Sequence, residues 1–282
     1  MPELPEVETT RRGLLPRVKG ARIDSVELRR PDLRRPITKG LAKRVAGARV
    51  TNIRRRAKYL LMDLDSGETL LIHLGMSGSL RVIEAKKEYA PRKHDHVVFH
   101  LENGDSLVFH DPRRFGLLLL LNKGEEETHP LLTHLGSEPL SKSFNAKYLE
   151  AALSKRSGPV KPALMDQKLV VGVGNIYASE SLFLAKIDPR APAKSVAPRS
   201  AKLADAIKTT LKKALASGGS SLRDYVGADG REGYFQHRFN VYERAGKKCF
   251  TARTSSRRRH NRGVRPTIVR IASVRARRGQ KR

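Results

Sequence analysis

Between residues 22 and 121 the chain breaks into eight short runs rich in β-branched and aliphatic residues, at 22–28, 49–54, 59–64, 69–74, 79–83, 96–101, 106–110 and 116–121. Turn-forming stretches such as Asp65-Ser66-Gly67 and Glu102-Asn103-Gly104-Asp105 separate many of them. Eight strands at this spacing predict an antiparallel sandwich or flattened barrel. Residues 122–139 are acidic, polar and proline-containing, and read as a linker. Beyond them the period becomes helical, over 144–153, around 162–168, over 175–185 and over 200–217. The expected fold class is therefore α+β. An N-terminal helix and an eight-stranded antiparallel β-sandwich occupy 1–121, a helical domain 140–248 and a basic tail 249–282.

The N-terminal helix has its own signals. Pro5 suits a first turn, Glu6 and Glu8 favour its positive end, and Arg11 and Arg12 follow further along. It is expected to run to about Leu15, to stop near Pro16 and to lie at the edge of the sandwich. Methionine before a small residue is normally trimmed, which would leave Pro2 as the terminal residue. An α-amino group has a pKa of roughly 7.7–8.0 against about 10.4 for lysine, so much of it is uncharged and nucleophilic near neutrality. A secondary amine of this kind can attack a carbonyl carbon and form an iminium link. Glu3 and Glu6 stand close enough in sequence to give and accept protons there.

Charge narrows the partner. The 57 Lys and Arg outnumber 28 Asp and Glu, for a net charge of +29 over 282 residues, which calls for a polyanion such as nucleic acid. That balance alone does not separate an enzyme from an architectural binder. The single cysteine, Cys249, excludes an internal disulfide framework and suits a reducing cytoplasm. No apolar run is long enough to span a bilayer, and no signal-peptide pattern opens the chain.

Several motifs carry candidate chemistry. Arg54-Arg55-Arg56-Ala57-Lys58-Tyr59-Leu60 brings a basic cluster into a strand, and by itself fits a solvated charged edge. In Gly75-Met76-Ser77-Gly78 the glycines place Met76 at an exposed loop tip, where an apolar side chain is unexpected. His94-Asp95-His96 with His110 invites a metal reading, but no cysteine or carboxylate completes a tetrahedral set at the usual spacing, so no metal ligands are assigned. Lys161 opens a stretch that reads as a helix, tight glycine turns at Gly172 and Gly174, and a second helix capped by Asn175. Main-chain amides at such a turn and helix start bind a phosphate well. Gly230 and Gly233 give residues 228–235 the hinge freedom of a lid, or of a plain connecting loop.

Met1-Pro-Glu-Leu-Pro-Glu-Val-Glu-Thr9, with Arg11-Arg12-Gly13, resembles the opening of the formamidopyrimidine-DNA glycosylases, bacterial base-excision enzymes for oxidised purines. The stretches around Lys58, Met76, 111–116 and 161–180 resemble that family as well. The resemblance implies a bifunctional glycosylase and abasic-site lyase acting on damaged double-stranded DNA as a cytoplasmic monomer, without a diffusible cofactor. By the same match Pro2 is the Schiff-base nucleophile, Glu3 and Glu6 assist it, and Lys58 donates a proton during strand cleavage. Met76, Arg113 and Phe115 would fill the gap left by the everted base, as apolar wedges do when stacking is lost. His94 would contact the DNA, and Arg156, Lys161 and Asn175 its backbone.

The match stops in the tail. The family normally ends in a four-cysteine zinc hairpin whose tip arginine enters the DNA, whereas only Cys249 remains here. From Thr251 the tail holds twelve Lys and Arg and no acid. A zincless finger, a disordered basic arm and a damaged reading frame all fit; Val269-Arg270 and Val274-Arg275 could each be read out of phase as a cysteine. Arg265, ahead of Arg262, is the candidate tip arginine. Two rivals stand beside the main reading: a non-catalytic DNA binder on the same scaffold, which would not need Pro2, Glu3 and Lys58 together, and an endonuclease VIII-like enzyme for oxidised pyrimidines, against which the Leu4-Pro5-Glu6-Val7 wording speaks.

Overall fold

The computed structural model describes residues 1–87, 89–220 and 239–250. Its first helix, α1 (Leu4–Val18), starts with Pro5 in the opening turn, and the Glu3 amide donates to Glu6 Oε2 at 2.8 Å. It does not stop at Pro16. The missing proline N–H orphans only the carbonyl of Arg12, an exposed residue that water can serve. One more turn buries Val18 beside Leu14 in the sandwich core. Burial of a valine is worth about 1.5–3 kcal/mol, more than a solvent-replaceable hydrogen bond of about 0.5–1.5 kcal/mol.

Eight strands follow: β1 (Ile23–Leu28), β2 (Val50–Arg56), β3 (Tyr59–Leu64), β4 (Thr69–His73), β5 (Ser79–Ile83), β6 (Asp95–Leu101), β7 (Ser106–His110) and β8 (Leu117–Leu121). They form two four-stranded antiparallel sheets, ordered β1-β6-β7-β5 and β2-β3-β4-β8. Ile23, Ile53, Leu60, Phe99 and Phe109 fill the space between them, joined by Val7 and Leu14 of α1. A helix unannounced by the sequence, α2 (Leu41–Val45), precedes β2. Its five residues bury one i, i+4 pair, Leu41 and Val45, which is less than one amphipathic repeat.

Strand β8 is five leucines because both of its faces are covered. Leu118 and Leu120 point into the intersheet core, while Leu117 and Leu121 meet Leu61, Leu71 and Leu132 on the other side. Within residues 122–139, Leu132, with Leu131 and Leu135, thus covers that face of the sheet, while a 3₁₀ turn at Glu125–Glu127 that buries no residue precedes them. The chain crosses between sheets at 74–78, from β4 to β5, and again at 111–116, from β7 to β8. His73 pairs with Leu117 and Ser79 with His110, so these two crossings run side by side.

The helical domain contains α3 (Ala146–Ser154), α4 (Val160–Met165), α5 (Asn175–Leu184), α6 (Ala193–Val196) and α7 (Ser200–Ala216). Phe144, Leu149, Leu164, Tyr177, Ile207 and Leu211 form its centre. The Asn145 side chain caps α3 by accepting from the Tyr148 amide at 3.0 Å. Helix α4 starts earlier than residue 162, because a first-turn proline forfeits no intrahelical bond. The α1 end joins the two domains: the Leu4 amide donates to the Gly172 carbonyl at 2.9 Å, and a Cβ on Gly172 (φ +77°) would lie 2.5 Å from that of Leu4.

Candidate active site and nucleic-acid interface

Glu3 organises the centre of the molecule. Its carboxylate reaches across the domain junction and accepts the amides of Gly174 at 2.6 Å, Ile176 at 2.9 Å and Tyr177 at 3.3 Å. Those are the orphan donors at the start of α5. The N-cap position of that helix is Gly174, which has no side chain to offer. The expected cap, Asn175, therefore stands one residue too late, and a carboxylate distant in sequence does the capping instead. Negative charge at a helix N-terminus is stabilised by the helix dipole as well.

Pro2 is buried while Met1 is 46 % exposed, so the chain passes from solvent to interior at the bond whose cleavage would free the proline nitrogen. Around Glu3 lie two nearly buried ammonium groups, those of Lys58 and Lys161. Burial pushes both lysines down, against the attraction of Glu3, and Lys161 falls to about 8. Lys58 sits at the tip of the β2–β3 hairpin, where Ala57 takes a left-handed φ of +54° and donates its amide to Glu138 at 2.8 Å. The three preceding arginines, which the sequence left as a solvated edge, are paired. Arg54 binds Asp63 and Glu126, Arg55 binds Glu8 and Glu138, and Arg56 binds Glu138.

Glu6 faces the other side of the same junction. It accepts from the Tyr177 hydroxyl at 2.5 Å and from both the amide and hydroxyl of Ser220 at 2.9 Å. Burial raises its pKa, the Tyr177 hydrogen bond opposes that, and Glu3 adds repulsion. Tyr177 and Ser220 carried no sequence signal of a role beside Glu6, because only the tertiary fold brings residues so far apart together.

A second group lies on the two neighbouring crossings. Met76 and Phe115 are 39 % and 43 % exposed, unusual values for large apolar side chains, and the Arg113 guanidinium stands 4.8 Å above the Phe115 ring. His73 lies under this tip and accepts the Gly75 amide on Nδ1 at 2.9 Å. Burial, with Lys58 and Arg34 nearby, lowers its pKa to about 4, which keeps that nitrogen a neutral acceptor. His94 is half-buried beside His96 and His110. His110 lies 2.7 Å from Asp95, and His96 contacts the Asp111 carbonyl at 2.9 Å, so these two rings are engaged in protein contacts. Among the described residues no group of three or more His, Cys, Asp or Glu is arranged to hold a metal ion.

Arg156 is held by Asp166 at 2.8 Å. Arg265 and the residues 228–235 lie outside the described residues, as do 251–282. The approach to the tail is anchored: Glu180, buried in α5, accepts the amides of Asn240, Val241 and Tyr242 and the Asn240 side chain, each at 2.9 Å. A four-thiolate zinc site does not fit this chain, since Cys249 is its one cysteine.

A family model of the formamidopyrimidine-DNA glycosylase N-terminal domain matches residues 1–118, and one of the formamidopyrimidine-DNA glycosylase H2TH domain matches residues 135–226. The chain is 51 % identical over 270 residues to a formamidopyrimidine-DNA glycosylase of Azorhizobium caulinodans, across 90 % of this chain and 92 % of that one. Its fold is similar to the crystal structure of the MutM (Fpg) protein of Thermus thermophilus, with a TM-score of 0.85, 40 % identity and coverage of 95 % and 97 %. It is similar, at a TM-score of 0.86 and 33 % identity over 93 % and 96 %, to a Lactococcus lactis Fpg mutant in complex with DNA containing Fapy-dG. On the strength of these matches and of the buried Glu3 centre, the chain belongs to the formamidopyrimidine-DNA glycosylase family.

Proposed function

We propose that this protein removes oxidised purines, 8-oxoguanine and formamidopyrimidines, from double-stranded DNA and then cleaves the strand at the abasic site. Trimming of Met1 frees the Pro2 nitrogen, which attacks C1′ of the sugar; the bond from C1′ to the base breaks and the base leaves with a proton. Glu3 takes the proton that the Pro2 nitrogen loses and passes it to the ring oxygen as the sugar ring opens, leaving an iminium between Pro2 and C1′. The iminium draws electrons from C2′, so its proton is lost and the 3′ phosphate departs; the 5′ phosphate follows by δ-elimination. Lys58 and Arg265 donate protons in these steps, and Glu6 holds the Tyr177–Ser220 side of the pocket. Met76, Arg113 and Phe115 occupy the vacated stack, while Arg156, Lys161 and Asn175 hold the backbone and His94 contacts the DNA.

The observation that carries this reading is the Glu3 carboxylate, next in sequence to the candidate amine, capping α5 beside two buried ammonium groups. A DNA binder has no use for that arrangement. The Lactococcus lactis Fpg mutant crystallised with DNA containing Fapy-dG supports the substrate class. The enzyme acts as a monomer in the bacterial cytoplasm, at the nucleoid, and its tail cations add salt-sensitive affinity for DNA without a zinc ion. Borohydride trapping on a duplex carrying 8-oxoguanine opposite cytosine tests it. A covalent adduct is expected that needs both the lesion and Pro2; an adduct with P2G equal to wild type would remove the requirement for proline, and an undiminished adduct after the terminal amine is blocked by acetylation would exclude the amine mechanism.

A further inference from the structure

The two crossings that carry Met76 and Phe115 are loops with apolar, solvent-exposed tips, yet they are not independent. Asp111 begins the second crossing, directly after His110 of β7, and its side chain is fully buried. One carboxylate oxygen, Oδ1, accepts the Ser77 hydroxyl of the first crossing at 3.0 Å and the Arg113 amide of its own at 3.3 Å. The other, Oδ2, accepts the Gly116 amide at 2.7 Å. Its main chain continues the clasp: the Asp111 amide donates to the His94 carbonyl at 2.9 Å, and the Asp111 carbonyl faces His96 Nε2 at 2.9 Å. Gly116 has no room for a side chain, since a Cβ there would lie 2.6 Å from Phe109 and 2.9 Å from Asp111 Oδ2.

A carboxylate removed from water is stable only when its oxygens are satisfied, and here the donors are one hydroxyl and two main-chain amides drawn from both loops. Met76 stands next to Ser77, and Arg113 is itself a donor to the clasp. We infer that Asp111 is a positioning residue that locks the Met76 tip and the Arg113–Phe115 tip into one preformed wedge, so that both enter the DNA together and Arg113 meets the opposite base in a fixed orientation. The inference rests on the reading that Met76, Arg113 and Phe115 fill the vacated stack, where the Arg113 guanidinium can hydrogen-bond the orphaned opposite base. Loops that had to be ordered on binding would forfeit affinity and fidelity, whereas a hydrogen-bonded clasp meets the cost of that ordering during folding.

The test compares S77A, D111N and D111A with wild type, and uses M76A to examine the underlying reading. The readout is the ratio of kcat/KM for 8-oxoguanine opposite cytosine to that opposite adenine. Borohydride trapping on a single-stranded abasic oligonucleotide, which has no opposite base, monitors the Pro2 chemistry separately. S77A, which removes one donor to the clasp, is expected to lower the discrimination ratio roughly fivefold, and D111N roughly tenfold or more, because an amide cannot accept on both sides. Single-strand trapping should stay within about twofold of wild type in both. D111A should abolish discrimination, and S77A keeps the test decisive if D111A fails to fold. Wild-type discrimination in S77A and D111N while M76A loses it would overturn the clasp alone; wild-type discrimination in M76A would overturn the void-filling reading. Loss of single-strand trapping in step with discrimination would also overturn the inference, since the clasp would then serve general folding.

Discussion

An alanine at position 174 would probe the Glu3 centre without removing any reacting group. Gly174 has φ −128° and ψ −152°, extended backbone open to any residue, so the substitution carries no intrinsic strain. The added methyl carbon, however, would lie 2.5 Å from Glu3 Cδ, 2.6 Å from Glu3 Oε1 and 2.8 Å from Lys58 Nζ. Ordinary carbon contacts lie at about 3.5–4.0 Å, so the carboxylate must retreat by about 1 Å. That takes it away from the amides of Gly174 at 2.6 Å and Ile176 at 2.9 Å. Hydrogen bonds to a charged group are worth roughly 1.5–3 kcal/mol each, and a displacement of about 1 Å at a reacting centre costs on the order of 100-fold in rate. Single-turnover excision from an 8-oxoguanine duplex, with borohydride trapping in parallel, should therefore slow by about 100-fold in G174A. Loss of those hydrogen bonds should also lower stability, by roughly 1.5–3 kcal/mol for each one broken, in thermal melts. Gly158 is the control, because nothing lies within 4 Å of a Cβ there, and G158A should react like wild type. A wild-type single-turnover rate in G174A would refute the assignment of Glu3 to the reacting centre.

Two further outcomes follow from buried charge. Lys161, with its pKa near 8, is charged below that value and loses its proton as pH rises through it. If its ammonium holds a phosphate, DNA affinity measured by anisotropy at fixed salt should fall by up to about tenfold per pH unit above that point, and K161M should flatten the profile; an unchanged slope in K161M would count against the contact. Removing the Glu180 carboxylate strands four N–H groups that it now satisfies. E180A should lose on the order of 3 kcal/mol of stability and expose the 239–242 segment to limited proteolysis, whereas a melting point within about one degree of wild type would show that the anchor is dispensable.

The strands and long helices were legible because their apolar signal is local: short β-branched and aliphatic runs bounded by turn residues mark the strands, and α7 follows its own period. The helix that runs through Pro16, the five-residue α2 and the leucine cover within 122–139 were not, since each is held by burial against distant residues rather than by propensity. The leucines of β8 read as a strand, but nothing local says that Leu132 would seal its outer face.

The same division runs through the site. By itself the sequence determined the residue types, with Pro2, Glu3, Lys58, Met76, Arg113 and Phe115 standing in recognisable motifs, and it determined the polyanionic partner through net charge. Only the tertiary structure decided that Glu3 caps α5 in place of Asn175, that Arg54, Arg55 and Arg56 are neutralised by carboxylates, that Ser220 meets Glu6, and that Asp111 joins two crossings. Hydrogen bonds and desolvation depend on which groups face one another across the domain junction, and that is a property of the fold rather than of any stretch of chain.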